Sequence, residues 1–202
     1  MTSPSDWAAA APGVDGPALL ERAVAYTRSS LHLVQYADLT ARTPCREWDL
    51  HALLRHMNDS LVAFTEAADI GYVDLVPVRH TPAGAPRDPG VELVDRLRSR
   101  ACALLGAWAH HPGTGPVSVS DRVLRSDLLA AAGSLEIAVH GWDVAQACGV
   151  DRPLPAALAL ELLDLVPILV RDADRPGRFA EPIDVPLHSR PSTRLFAALG
   201  RA

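Results

Sequence analysis

The chain has 202 residues, 49% of them hydrophobic and 21% charged, with a formal net charge of −5. That length suits one domain with a core of its own, and no apolar run approaches the roughly 20 residues needed to span a bilayer. All 19 Lys+Arg residues are Arg, and they are scattered in an acidic chain. This excludes a Schiff-base lysine and a Walker-type phosphate loop, and it leaves no basic footprint for DNA or RNA.

The opening stretch, MTSPSDWAAAAPGVDG, lacks a basic segment followed by a continuous apolar one, so it reads as a loose leader and the expected location is the cytoplasm. The first helix follows Gly16-Pro17, with Pro suited to an initial turn, and runs through Leu20, Ala23, Val24, Thr27, Leu31 and Val34. Asp49 then caps a second helix that begins near Leu50, with Trp48 placed to staple onto Leu53. Its apolar positions Leu53, Leu54, Met57, Leu61 and Phe64 recur at helical spacing to about Ala68. Residues 74–90 hold too many prolines and glycines for helix or central strand and form a long connection.

A third helix carries Val94, Leu97, Ala101, Leu104, Leu105 and Trp108 on one face and ends before His110-His111-Pro112-Gly113. Residues 116–125 alternate enough for a short extended stretch or hairpin. The fourth helix spans about 126–148 and closes at Gly149. A fifth runs from about Pro155 to Leu165, where Pro167 should kink or end it, and a proline-punctuated tail closes on Leu195, Phe196 and Leu199. The expected architecture is all-α: four long amphipathic helices in a bundle with a long crossover over residues 1–150, and a C-terminal helix and tail over 151–202 packed on the same domain.

Glu136 and His140 lie four residues apart on the fourth helix, with Asp143 three further on, so all three project from one face. His56 sits at the edge of the second helix's apolar stripe, from which it can meet them across the bundle. Two imidazoles and a carboxylate with open positions suit zinc first, and nickel, iron or manganese as well. The same spacing also occurs on helices that bind nothing. Asp143 is placed either to orient a ligand imidazole or to pair along the helix. His110 and His111 suit a helix end. His32, His51, His80 and His188 have no partner at a recognisable spacing, and Trp48 and Trp142 read as staple or core. Cys45, Cys102 and Cys148 are far apart and read as reduced, small, buried residues. No Gly-x-Ser-x-Gly elbow, His-Glu-x-x-His pair or dinucleotide loop is present.

Thr43-Pro44-Cys45-Arg46-Glu47-Trp48-Asp49 through Arg55-His56 resembles the first signature of the actinobacterial branch of DinB/YfiT-like proteins, the group of the mycothiol-dependent maleylpyruvate isomerases. Glu136-Ile-Ala-Val-His140-Gly-Trp142-Asp143 resembles the second, and Pro182 to Arg201 resembles that branch's ending. The resemblance implies a DinB/YfiT-like four-helix bundle with a divalent metal held by His56, Glu136 and His140, and mycothiol or a similar thiol as cosubstrate. It implies thiol transfer or thiol-assisted isomerisation on a small electrophile, with no protein nucleophile. The isomerase of this group has a further C-terminal domain for which the residues after Gly149 are too few, so an electrophile other than maleylpyruvate is expected. Arg79 in the long connection is a candidate to hold a substrate carboxylate by paired hydrogen bonds. The competing class is a bundle that binds metal and small molecules as a sensor or carrier without turnover. A second copy of the chain could pack against the Pro-rich loop and tail.

Overall fold

A computed structural model describes residues 14–45, 48–73, 88–110, 115–119, 122–175 and 179–201. They divide into two compact units, Gly16–Arg152 and a C-terminal one from Pro153, and each is taken on its own. Most of the chain is helical. No helix among the described residues is long and apolar enough to cross a membrane.

The first unit holds four long helices, α1 (Gly16–Leu31), α2 (Leu50–Ile70), α3 (Gly90–His110) and α4 (Ser126–Ala147). A 3-10 turn over His32–Tyr36 continues α1. Helix α1 packs on α4 and α3, and α2 packs on α3 and α4, so the order around the bundle is α1–α4–α2–α3. Leu19, Leu20, Leu53, Leu54, Leu97 and Leu104 fill its core. The predicted cap is present: the Asp49 carboxylate accepts the Ala52 N–H at 2.9 Å, giving one orphan donor of the first turn a partner. Gly71, at φ 67°, ends α2 in the left-handed conformation that glycine adopts without a Cβ clash.

The hairpin is present as β2 (Pro116–Val119) and β3 (Arg122–Arg125), paired antiparallel with Val117 opposite Leu124. A strand the sequence did not announce, β1 (Tyr72–Val73), adds to β2 in parallel, with Tyr72 opposite Ser118. Two residues are too few to show a period of their own.

Three expectations are corrected. Helix α4 is not amphipathic: it is buried around almost its whole circumference, from Ser126 to Ala145. Ala130, Ala131, Gly133, Ala138 and Gly141 are small enough to admit neighbours on every side, and a Cβ on Gly141 would stand 2.3 Å from the Thr27 Oγ1 of α1. Helix three also includes His110 in its last turn, where the imidazole lies 2.7 Å from the Gly106 carbonyl. The cysteines are not buried, since Cys102 is exposed and Cys45 and Cys148 are half-buried. The long connection, with Arg79 and His80, lies outside the described residues over 74–87, as does His111.

In the C-terminal unit, α5 (Ala156–Leu169) is followed by a 3-10 turn (Asp172–Asp174) and α6 (Pro191–Ala198), which packs on α5. Pro167 lies inside α5, which ends at Leu169, two residues beyond it. Proline withholds one N–H from the helix, but it falls in the last turn, and the ladder resumes with Val170 N–H on the Val166 carbonyl at 2.9 Å. Leu195 and Phe196 are buried.

Candidate metal centre

Two neighbouring helices and one turn build the site. On α4 the i, i+4 spacing sets Glu136 and His140 on one face, and on α2 the same spacing sets His56 and Ser60 together. Three donors converge on a single oxygen, Glu136 Oε1: His56 Nε2 at 2.6 Å, Ser60 Oγ at 3.1 Å and His140 Nε2 at 3.3 Å. The predicted trio is thus brought together, with ligand atoms all within 4.8 Å of one another.

Asp143, one turn beyond His140, is fully buried and accepts the His140 Nδ1–H at 2.9 Å. That bond fixes the tautomer, so Nε2 is the nitrogen offered to the site. The Cys45 thiol donates to the same Asp143 Oδ2 at 3.4 Å. Cys45, His140 and Asp143 also form a second convergent group, and its one buried carboxylate is engaged by both neighbours.

The segment before α2 delivers two more side chains. Thr43 Oγ1 lies 2.8 Å from the Trp48 carbonyl and 3.0 Å from that of Cys45, and the Trp48 N–H donates to the Cys45 carbonyl at 2.9 Å. This turn is tied to the helix start by Leu50 N–H on the Ala41 carbonyl and His51 N–H on that of Leu39, both 2.9 Å. Cys45 therefore reaches Asp143, and the Trp48 ring lies 4.4 Å from His56 and 6.0 Å from His140, centroid to centroid. Trp48 is a wall of the site as well as a residue at a helix start. Cys45, Trp48 and Ser60 are the site residues that spacing alone missed. The only signal for them was their place in, or one helical turn beyond, the first sequence signature.

The electrostatics are those of a tightly coupled acid–base pair. Burial alone would raise the Glu136 carboxyl, but the His140 charge, the His140 hydrogen bond and those from His56 outweigh it and hold Glu136 well below the carboxylate range. Burial alone would lower His140, yet the Glu136 carboxylate and the bonds to Asp143 and Cys45 push it well above the usual imidazole range. His140 is thus biased toward its protonated form between two carboxylates.

Glu136 and His140 are among the residues lining a narrow, largely apolar cleft to which all four helices contribute. Val24 and Leu31 of α1, Met57 and Leu61 of α2 and Leu97 of α3 are among its walls, and Arg28 and Arg98 also line it. The Glu136 side chain is 30% exposed, against 7% for His140.

The solved crystal structure of a mycothiol-dependent maleylpyruvate isomerase shares the fold, with a TM-score of 0.55 at 16% identity over 81% of this chain and 70% of that one. No curated protein matches. The family described as the mycothiol maleylpyruvate isomerase N-terminal domain matches residues 20–145, which is more than half of the chain and contains the whole four-residue constellation of His56, Glu136, His140 and Asp143, and the chain belongs to that family.

Proposed function

We propose that the chain is a metal-dependent thiol S-transferase or thiol-assisted cis–trans isomerase that uses mycothiol or a similar low-molecular-weight thiol on a small electrophile. The observation that carries this reading is the convergence of two imidazoles on one carboxylate oxygen in the lining of a largely apolar cleft. Family membership supports the thiol and the reaction class.

The donor set fits a divalent cation. Ligands about 2.0–2.1 Å from a tetrahedral zinc stand about 3.3 Å apart, and the Glu136–His140 spacing of 3.3 Å meets that directly. The Glu136–His56 contact of 2.6 Å is a hydrogen bond that opens once its proton is replaced. His56, Glu136 and His140 would hold the ion, zinc by default and nickel, iron or manganese as alternatives. A divalent cation there would stabilise the thiolate of a thiol brought to its open position.

The residues of the chain do the rest. Asp143 keeps His140 Nε2 presented, Ser60 holds the Glu136 carboxylate, and Trp48 covers the imidazoles. The apolar walls exclude water around the sulfur, which preserves it as a nucleophile. The cosubstrate's thiolate sulfur adds to one carbon of an activated carbon–carbon double bond; the π pair passes to the neighbouring carbon, which takes up the thiol's proton, and a conjugate results. With an activated cis double bond, addition, rotation and elimination return the thiol and release the trans isomer.

Metal content of the purified protein, compared with His56→Ala and His140→Ala at matched folding by circular dichroism, tests the site. Near-stoichiometric metal lost in both variants is expected, together with thiol-dependent loss of an electrophile that a chelator abolishes. A folded wild type that takes up neither zinc nor nickel would sink the reading. Metal and ligand binding without product would leave a carrier or sensor.

A further inference from the structure

The cleft holds two guanidinium groups that the metal ligands do not engage. Arg98 is committed elsewhere: its Nη1 lies 3.2 Å from Asp95 Oδ1 and its Nη2 lies 3.3 Å from His32 Nδ1. Arg28 makes no hydrogen bond and no ion pair among the described residues, yet it lines the same cleft as Glu136 and His140. Its backbone is well fixed against α4. The preceding residue, Thr27, donates its hydroxyl to the Ile137 carbonyl at 2.8 Å and abuts Gly141. The carboxylate of the cleft, Glu136, is engaged through its Oε1 by His56, His140 and Ser60. A place in the last turn of α1 suits a cation on helix-dipole grounds, but that would be served equally by a side chain turned to solvent.

We propose that Arg28 is the residue that sets substrate specificity, by holding the carboxylate of a substrate whose apolar body lies along the cleft. A planar guanidinium pairs with a carboxylate through two parallel N–H donors, and Arg28, although exposed, has the apolar lining of the cleft beside it. The apolar part of the lining, with Val24, Leu31, Met57 and Leu97, suits an apolar body. The substrate class is thus an electrophile with an acid group and an apolar body. This rests on the thiol-transfer reading for the electrophilic carbon, whereas the recognition of the acid is a binding property that stands without turnover.

The test uses 3-benzoylpropionate, a keto acid with no activated carbon–carbon double bond for a thiol to add to, and its carboxamide, titrated into the purified protein by calorimetry. The wild type is expected to bind the acid about tenfold more tightly than the amide, as for a hydrogen bond to a charged partner. Arg28→Gln is expected to abolish that preference without lowering thermal stability, Arg28→Lys to restore part of it, and Arg98→Gln to leave most of it. The proposal is overturned by an acid that does not bind at millimolar concentration, or by a preference that survives in Arg28→Gln, which would put the anion on the metal ligands instead. It is also overturned if Arg28→Gln weakens only a carboxylate-bearing thiol such as glutathione. A preserved acid preference beside absent thiol chemistry would fell the transferase reading alone.

Discussion

Gly141→Ala and Gly106→Ala make the same chemical change in the middle of two helices of one bundle, and the structure gives them opposite signs. A Cβ on Gly106 meets nothing within 4 Å. There alanine gains helix propensity and lowers the entropy of the unfolded chain, which should stabilise by about 0.5–1 kcal/mol. A Cβ on Gly141 would stand 2.3 Å from Thr27 Oγ1, 3.0 Å from its Cβ and 3.1 Å from its Cα. Thr27 cannot simply swing aside, because it is branched at Cβ and its hydroxyl is bonded to the Ile137 carbonyl at 2.8 Å.

Helices α1 and α4 must therefore separate. Overpacking of about 1–3 kcal/mol and a lost hydrogen bond of about 1 kcal/mol are offset by about 1 kcal/mol of propensity, a net loss of about 1–3 kcal/mol. At this chain length the melting temperature should fall by roughly 2–12 °C. Thermal melts followed by circular dichroism read both variants, and Thr27→Ala should make Gly141→Ala cheaper by removing the 2.3 Å contact. A Gly141→Ala protein as stable as Gly106→Ala, or a strictly additive double variant, would refute the close approach of α1 to α4.

Asp143→Asn removes the carboxylate that accepts the His140 Nδ1–H at 2.9 Å, and a competition titration against a chromophoric chelator should show metal affinity reduced about 10–100-fold, with the fold retained. Unchanged affinity would mean that Asp143 does not orient His140. The metal-free protein should show a pH window. The raised His140 value contributes stability fully below its ordinary 6.5, and this is lost as pH rises through the shifted value. The depressed Glu136 value contributes fully above 4.5, and this is lost as pH falls through the shifted value. Urea midpoints of the metal-free protein should accordingly carry their largest contribution from this pair between those two values. Zinc, which replaces the His140 proton, should remove the alkaline loss; a midpoint that rises steadily above neutrality without metal would contradict the pair. Asp49→Ala deletes the cap on Ala52 N–H and should cost about 0.5–2 kcal/mol in the same melts, with loss of the Trp48 contact read as a change in tryptophan fluorescence.

Much of the bundle was legible because its signals are local. Asp49 before an apolar run, Pro17 in a first turn and Gly149 after the last turn of α4 each act within a few residues, and each element formed where those residues place it. The Glu136–His140 pair was legible for the same reason, since helical spacing alone puts the two on one face. The family signatures then named His56 as the third member, which spacing could only nominate.

Other features were settled by distance in space and left no periodic trace. Helix α4 carries too few polar residues to show a solvent stripe, and whether such a helix is central or merely apolar on one face depends on what surrounds it. Cys45 and Trp48 looked like a small apolar residue and a staple until the turn closed by Thr43 brought them onto Asp143 and His56, with 98 positions of sequence between Cys45 and Asp143. Arg28 is one of many arginines in the sequence and is distinguished by lacking a partner among the described residues while lining the cleft. The sequence by itself determined which segments are helical and which faces they offer, because backbone hydrogen bonding and capping are satisfied within a turn. Tertiary structure alone decided which of those faces meet, because burial and ion pairing are set by the packing of helices such as α1 on α4, where a hydrogen atom at Gly141 is all the space allows.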